Sequence, residues 1–403
     1  MRARVVVIGG GAFGASCLYH LATRGVRDVV LLEQATLGSG STGRSAAVVE
    51  TQYLAADQVL LCAWSMRVFR WLEREHALPF VHHGYLRLGH TADVVAQFHA
   101  SVAMQREHGL TDPRVLEPGE VARVVPALRV DDLAGALWGP SDGYVDAVRY
   151  CELLTGLARA AGARVLQGTR VTGLRLQGDR VTAVEVDGET IDCETVVNAS
   201  GAWARRIGGA AGLTLPVDGY RRQLVQFEPP QPLAAPVPMV IDYVPGVEAE
   251  GLYFRDDTSA RLVAGLHWEV HGDWERPEDP DAFRQAVDWD YAARVAEALA
   301  ARYRGAGEFR VTGGWAGLYP LTPDTRPIVG PTPGVAGLYQ ALGGGGVGVQ
   351  ISPAIGAMTA DLIATGETDV VPDWGRYRLD RFAPSVRAEP PSTGVHDRTI
   401  LAP

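Results

Sequence analysis

Arg4-Val5-Val6-Val7-Ile8-Gly9-Gly10-Gly11-Ala12-Phe13-Gly14 is the stretch on which the fold turns. The β-branched run reads as a central strand buried on both faces. Glycines then pass it directly into a helix, with Ala15, Leu18, Leu21 and Ala22 on one side and Gly25 as its stop. Val29-Val30-Leu31-Leu32 is the next strand, and Glu33 stands at its end. One βαβ unit of about 30 residues results. Its glycines have separate tasks: Gly9 allows the tight turn, Gly11 lets backbone approach a pyrophosphate, and Gly14 lets helix and strand pack closely. The helix start offers unpaired N–H groups and a positive dipole end to phosphate. Glu33, about 20 residues on, can accept from ribose hydroxyls. With strand, helix, second strand and acid all in place, the reading is an adenine dinucleotide site, although the spacing does not separate NAD from FAD.

The length gives a prior of two or three domains, and the composition is ordinary globular usage. The chain has 403 residues, 47% hydrophobic and 21% charged, with a net charge of −10. No basic stripe is visible, which argues against nucleic acid as a partner. The apolar N-terminus has the charge pattern of a leader, but Gly9-Gly10-Gly11 interrupts it and no A-x-A site follows. No run of 18 apolar residues suggests a membrane span. Cys17, Cys62, Cys151 and Cys193 are widely spaced without a CxxC pair, so no disulfide framework is expected and a cytoplasmic location is.

Further along, Leu37 to Ser45 reads as a loop, and helices are expected over about 56–76, 146–161 and 281–303. Short strands at about 164–167, 170–176, 180–187 and 190–198, punctuated by Gly178-Asp179 and Asp187-Gly188, read as an antiparallel insert. The prolines of 229–238 mark a surface loop, and 240–272 look like strands. Gly337 to Leu342 is a strand followed by four glycines. Ser352 is a good N-cap and Pro353 a good first residue for the helix that Gly366 ends. A helix start aimed at a cofactor there would favour negative charge.

Four ordered motifs resemble the D-amino-acid oxidase / sarcosine oxidase superfamily of FAD-dependent oxidoreductases, including its sarcosine oxidase beta-subunit and dimethylglycine dehydrogenase-like members. They are Gly38-Ser39-Gly40-Ser41-Thr42-Gly43-Arg44-Ser45, Val196-Val197-Asn198-Ala199-Ser200-Gly201-Ala202-Trp203, Gly317-Leu318-Tyr319-Pro320-Leu321-Thr322-Pro323-Asp324, and Leu342-Gly343-Gly344-Gly345-Gly346-Val347-Gly348 with Ser352-Pro353. The resemblance runs from residue 1 to about 382. It implies an α/β fold of two domains: a Rossmann-type FAD domain from 1–84, 145–216 and 320–380, and a mixed-sheet substrate domain from 85–144 and 217–319. Residues 381–403 form a tail. Cofactor contacts are expected from Gly9, Gly11, Ala12, Phe13, Gly14, Glu33 and Gln34. The loops add Ser41, Thr42, Gly43, Arg44, Val171, Ser200, Gly201, Trp203 and Gly317. The C-terminal loop adds Gly344, Gly345, Gly346, Val347, Gly348 and Val349. Relatives attach FAD through a cysteine matching Gly317 or a histidine matching Arg44. Neither nucleophile stands here, so the FAD is expected to be non-covalent.

The resemblance also implies a substrate pocket. Tyr253, His267 and Tyr319 match the two tyrosines and the histidine that line the substrate side of the flavin in sarcosine oxidases. They are the catalytic candidates, with aromatic walls suited to an amine. The carboxylate anchors differ: the matching arginine and lysine positions hold Glu50 and Gln350. Glu50 could hold a substrate ammonium or face away, and Arg221 or Arg222 could supply an anchor. The oxygen-activating lysine corresponds to Val263. The expected function is oxidation of a C–N bond in a secondary or tertiary amine or amino acid, with hydride passing to FAD and the imine hydrolysing. Oxygen would be the acceptor and hydrogen peroxide the product. The alternative is the flavin subunit of a heteromeric amine or proline dehydrogenase that passes electrons to a partner. A non-catalytic flavin-binding module is the remote alternative. No metal-binding spacing is present.

Overall fold

The structure, a computed structural model, describes residues 1–244, 250–268 and 277–382. The Val5–Ile8 strand lies inside a six-stranded sheet. The order is Ile328–Pro331, Leu338–Leu342, Thr195–Asn198, Val5–Ile8, Val29–Leu32, Arg164–Leu166. All pairings are parallel except that of the edge strand Ile328–Pro331. Every residue of Val5–Ile8 and Val29–Leu32 is buried, and the two-residue period of a strand divides them between two cores. Val5, Val7, Val29 and Leu31 pack with the helices, while Val6, Ile8, Val30 and Leu32 pack with Leu174, Val184 and Ile191 of a small antiparallel sheet.

On the helical side, Ala12–Thr23 is buried over most of its circumference, as a helix apolar all round must be. It lies so close to the helix Gly348–Ala364 that a Cβ on Gly356 would fall 2.1 Å from Ser16 Oγ. Helices Ala56–His76 and Ala147–Ala160 complete this layer. Fully buried Phe69 sits between the rings of Tyr150 and Phe80, with centroids 5.1 and 6.3 Å away. Truncating it to alanine would cost about 3–5 kcal/mol.

A mixed eight-stranded sheet forms the second layer system. Its order is Arg310–Leu321, Asp218–Glu228, Arg261–Trp268, Glu250–Thr258, Met239–Asp242, Tyr85–Gly89, Gly135–Gly139, Arg114–Leu116. Strands from either side of residues 145–216 are thus joined, through the parallel pairing of Tyr85–Gly89 with Met239–Asp242. Helix Trp289–Arg302 buries Tyr291, Ala292, Val295 and Leu299 in the core of this sheet.

Several elements differ from expectation for identifiable reasons. The antiparallel insert is Val171–Gln177, Arg180–Val186 and Glu189–Asp192 alone. Arg164–Leu166 instead pairs in parallel with Val29–Leu32, and Thr195–Asn198 with Val5–Ile8, where the Arg4 carbonyl takes the Glu194 and Thr195 N–H groups. The helix expected over 281–303 begins only at Trp289. Asp279 side-chain oxygen accepts the Asp281 N–H, and Gln285 carbonyl accepts from Ala316, so 279–288 runs as an irregular strap along the sheet.

Ser352 and Pro353 do not start a helix; they lie inside one that begins at Gly348. Proline offers no N–H to the Val349 carbonyl four residues back. Ser352 Oγ donates to that carbonyl instead, at 2.7 Å. Of the strands expected over 240–272, residues 245–249 and 269–272 lie outside the described residues, as does the tail from 383 to 403.

Candidate active site

A cavity of about 950 Å³ lies between the two main sheets and draws its walls from both. The glycine turn shapes one end. Gly9 has a φ of +106°, and a Cβ there would lie 2.5 Å from the Ala199 carbonyl oxygen. A Cβ on Gly14 would lie 1.8 Å from the Gly9 carbonyl oxygen. Only glycine satisfies both, so Gly14 does not face the cavity but lets the helix start meet the strand. Gly9, Gly11, Ala12 and Phe13 do line it.

Glu33 and Gln34 line the same end. The Gly10 N–H donates to Glu33 Oε2 at 2.7 Å and the Ala35 N–H to Oε1 at 2.8 Å. The acid therefore fixes the glycine turn against the second strand and still has lone pairs for a ligand. Ser41, Thr42 and Arg44 line the wall through the next loop. Thr42 Oγ1 accepts the Ala12 N–H at 3.1 Å, which places a hydroxyl at the helix start. Arg44 donates to the carbonyls of Ser39 and Gly40 and to Gln285 Oε1. Gly43 turns away; a Cβ there would meet the Gly38 carbonyl oxygen at 2.7 Å.

Val171, Ser200, Gly201 and Trp203 continue the wall. Ser200 Oγ donates to Asn198 Oδ1 at 2.6 Å, and Gly201 has a φ of +57°. The Trp203 indole donates to Asp281 Oδ1 at 2.8 Å, which ties the strap to this wall. Arg170 and Arg206 also bond Asp281. Together with the indole they hold its carboxyl below the usual carboxylate range, against the opposing effect of burial. Gly344, Gly345, Gly346, Val347, Gly348 and Val349 close the other side. The helix N-terminus that meets the cavity is thus Gly348, one turn earlier than Ser352. Gly317 does not line the cavity. A Cβ added to it would lie 3.1 Å from Arg44 Cβ, so the two positions matching covalent attachment in relatives are neighbours.

Tyr253, His267 and Tyr319 come from three strands of the large sheet and all line the cavity. The two tyrosines rest on glycines. A Cβ on Gly265 would be 2.5 Å from Tyr253 Oη, and one on Gly346 would be 2.6 Å from the Tyr319 ring. Burial, then neighbouring Tyr319, push the Tyr253 phenol well above its usual range. Burial also raises Tyr319, against Arg222, whose guanidinium lies 5.5 Å from its ring centroid. Both remain protonated at neutral pH. The His267 ring packs on Tyr243 with centroids 4.5 Å apart.

Glu50 and Gln350 also line the cavity, and both are buried. Burial raises the Glu50 carboxyl, opposed by Arg87, the Gln52 N–H, Tyr53 and Gln350. The Gln350 amide donates to Tyr53 Oη.

Arg221 is the anchor candidate that the structure removes. Alternation along Asp218–Glu228 turns it outward, where Nε donates to the Arg284 carbonyl at 2.7 Å and Nη1 pairs with Asp288 at 2.5 Å. Its neighbour Arg222 lines the cavity in its place.

Sequence reasoning missed Tyr85 and Arg87, which line the cavity from Tyr85–Gly89, and Asp281 of the strap. The one local signal was the alternation Tyr85-Leu86-Arg87-Leu88, which puts an aromatic and a cation on one strand face. No group of three or more His, Cys, Asp or Glu among the described residues is placed to hold a metal ion.

The family model for FAD dependent oxidoreductase (DAO) matches residues 4–362. The chain belongs to that family. Its dinucleotide is therefore FAD, and the glycine cradle fits one: backbone lines the cavity where side chains would block it. Among curated relatives, the chain is 31% identical over 389 residues to the mitochondrial sarcosine dehydrogenase of Mus musculus. That alignment covers 94% of this chain and 41% of the relative, so this chain spans under half the length of such relatives. It is 27% identical to the glycine oxidase of Geobacillus kaustophilus, covering 96% of this chain and 98% of that one. Among solved structures it is similar to the L-proline dehydrogenase from P. horikoshii. The TM-score is 0.84 at 27% identity, covering 94% of this chain and 98% of that one. No helix among the described residues is long and apolar enough to cross a membrane.

Proposed function

We propose that the protein oxidises a C–N bond in a secondary or tertiary amine or amino acid. The observation that carries this reading is the convergence of Tyr253, Tyr319 and His267 on the cavity that the glycine turn and the Gly344–Gly348 loop also line. Bound FAD supplies the electron-pair acceptor for hydride leaving the carbon next to nitrogen. Gly9 to Phe13, Glu33, Thr42 and the Gly348 helix start would hold it. The protein's own residues orient the amine and dry its surroundings. Tyr253 and Tyr319, kept neutral, form walls that exclude water and accept a cation over their faces. His267 would take a proton from the substrate ammonium, since only a neutral amine has the lone pair that assists hydride loss. The imine then hydrolyses in water to a carbonyl compound and a smaller amine.

Oxygen is the proposed acceptor, with hydrogen peroxide as product. The second reading, a dehydrogenase that passes electrons to a partner, draws support from Val263, a buried apolar residue where sarcosine oxidases carry a lysine, and from the likeness to a proline dehydrogenase.

One experiment addresses both. The holoprotein is mixed without oxygen with sarcosine, dimethylglycine, glycine or proline, and loss of the flavin's visible absorbance is followed. At least one should bleach it, and His267→Ala should slow bleaching by about 100-fold or more. Failure of all four to bleach it counts against C–N oxidation. Admitting air then separates the acceptors: rapid recovery with peroxide indicates an oxidase, and slow recovery a dehydrogenase.

A further inference from the structure

Within the strap, residues 279–283 stand on one wall of the cavity and grip the other. The footing is backbone on the large sheet. The Glu278 N–H donates to the Gly219 carbonyl at 2.8 Å, and the Ala316 N–H donates to the Gln285 carbonyl at 2.7 Å. Between these ends the Asp279 carbonyl accepts from the Ala282 and Phe283 N–H groups, each at 3.0 Å, so the segment is a turn closed on itself. Among the described residues no backbone hydrogen bond ties this turn to the opposite wall.

The grip is made by side chains alone. Asp281 accepts from the Trp203 indole at 2.8 Å, from Arg170 Nη2 at 2.6 Å and from Arg206 Nη1. Arg206 Nη2 bonds Asp279. Trp203 and Arg206 follow the strand Thr195–Asn198, and Arg170 precedes Val171–Gln177, so all three come from the dinucleotide side. The Glu33 carbonyl accepts the Thr169 N–H at 2.8 Å, which sets the neighbouring Arg170 beside the Glu33 end. Pro280, Asp281 and Phe283 line the cavity facing these partners, which line it too.

Two guanidiniums beside a dinucleotide cradle suggest phosphate ligands at first sight. Here Arg206 gives both terminal nitrogens to the strap, and Arg170 pairs with the same acid. What the cluster holds is the turn. It is also wet: the side chains of Asp281, Arg206 and Arg170 are 34%, 41% and 50% exposed. Ion pairs in such surroundings are weak singly and are screened by salt. A contact of this kind, between two backbone-fixed ends, opens without unpairing the sheet.

We propose that residues 279–283 are a latched lid over the dinucleotide end of the cavity, and that Asp281 sets how long FAD stays bound. FAD enters and leaves past this turn, on release of the Asp281 and Asp279 contacts, and not past the tyrosines and His267. The proposal depends on the cavity's being an FAD site and not on the amine reading.

The test is cofactor exchange. Holoprotein is incubated with an excess of isotopically labelled FAD, and the label retained after rapid desalting gives the exchange rate. Asp281→Asn, which keeps the shape without the charge, should speed exchange about 3–10-fold. Arg206→Gln, which frees both acids, should do at least as much, and the double variant should fall short of the product of the two. Raising salt from about 0.05 to about 0.5 M should speed exchange in wild type, and less so in Asp281→Asn. Arg302→Gln breaks an ion-pair cluster outside the cavity wall and should exchange like wild type. If Asp281→Asn does not fold, Arg170→Gln and the salt series carry the same test. Wild-type rates in the latch variants overturn the proposal. So does equal acceleration by Arg302→Gln, which marks general loosening, and so does a flavin that exchanges in none of these proteins. Flavin bleaching by amines is read separately. Latch-dependent exchange without bleaching leaves the lid standing and sinks the oxidation reading. Bleaching with latch-independent exchange sinks the lid alone.

Discussion

Glu33 binds two backbone N–H groups, one on each carboxylate oxygen, from the glycine turn and from its own loop. Charge-assisted hydrogen bonds of this kind are worth about 1.5–3 kcal/mol each. Glu33→Lys removes both and sets a cation beside the turn. We expect FAD content after purification to fall sharply, with Glu33→Gln intermediate, measured as flavin per protein. Full occupancy in the lysine variant would count against the dinucleotide reading of this end. Glu33 was legible in the sequence because its meaning is local: a strand end about 20 residues after a glycine turn. Arg87 was not, because its meaning comes from Gln52, Tyr243 and Tyr85, of which only the last is near it in sequence. Between Arg221 and Arg222, only strand alternation decides, and a one-residue error in register reverses it.

At the scale of elements, Ala56–His76 emerges as its apolar spacing demands, because tertiary contacts reinforce local preference. The strap over 279–288 does not. Its composition permits helix, but Asp279 and Asp281 spend their side chains on Arg206, Arg170 and Trp203, and the backbone of Gln285 joins the sheet. Gly348–Ala364 shows a different conflict. A cap-like pair, Ser352-Pro353, sits one turn inside the helix and repairs itself through the Ser352 hydroxyl. That hydroxyl also bonds Tyr150 Oη at 2.8 Å in the core. Ser352→Ala should therefore destabilise the protein by about 1–3 kcal/mol, seen as a lower urea midpoint with an unchanged slope. An unaltered midpoint would show that the orphaned Val349 carbonyl finds another partner.

At the scale of the whole molecule, charge clusters pin helices to sheets. Arg302, at the end of its helix, pairs with Asp242 at 2.7 Å and with both oxygens of Asp132 at 2.7 and 2.8 Å. His90 Nε2 meets Asp242 Oδ1 at 2.7 Å. The Asp242 hydrogen bond raises the His90 pKa above 6.5, while burial and Arg302 oppose the rise. The sign follows from linkage: the protonated form is favoured in the folded state. Stability from His90 is fully present below about pH 6.5 and is lost as pH rises through the raised value. Urea midpoints should fall over that window in wild type, and more weakly in His90→Gln. Equal pH slopes in the two proteins would remove His90 from the account.

The cavity wall begins at Ile8 and is completed only by Gln350, with contributions from both large sheets in between. During synthesis the glycine turn precedes the Gly343–Gln350 loop by most of the cavity wall, and it has nothing to close against until that loop follows. FAD capture therefore waits for that loop, and until then a growing chain must keep its central strands from pairing wrongly without help from the cofactor.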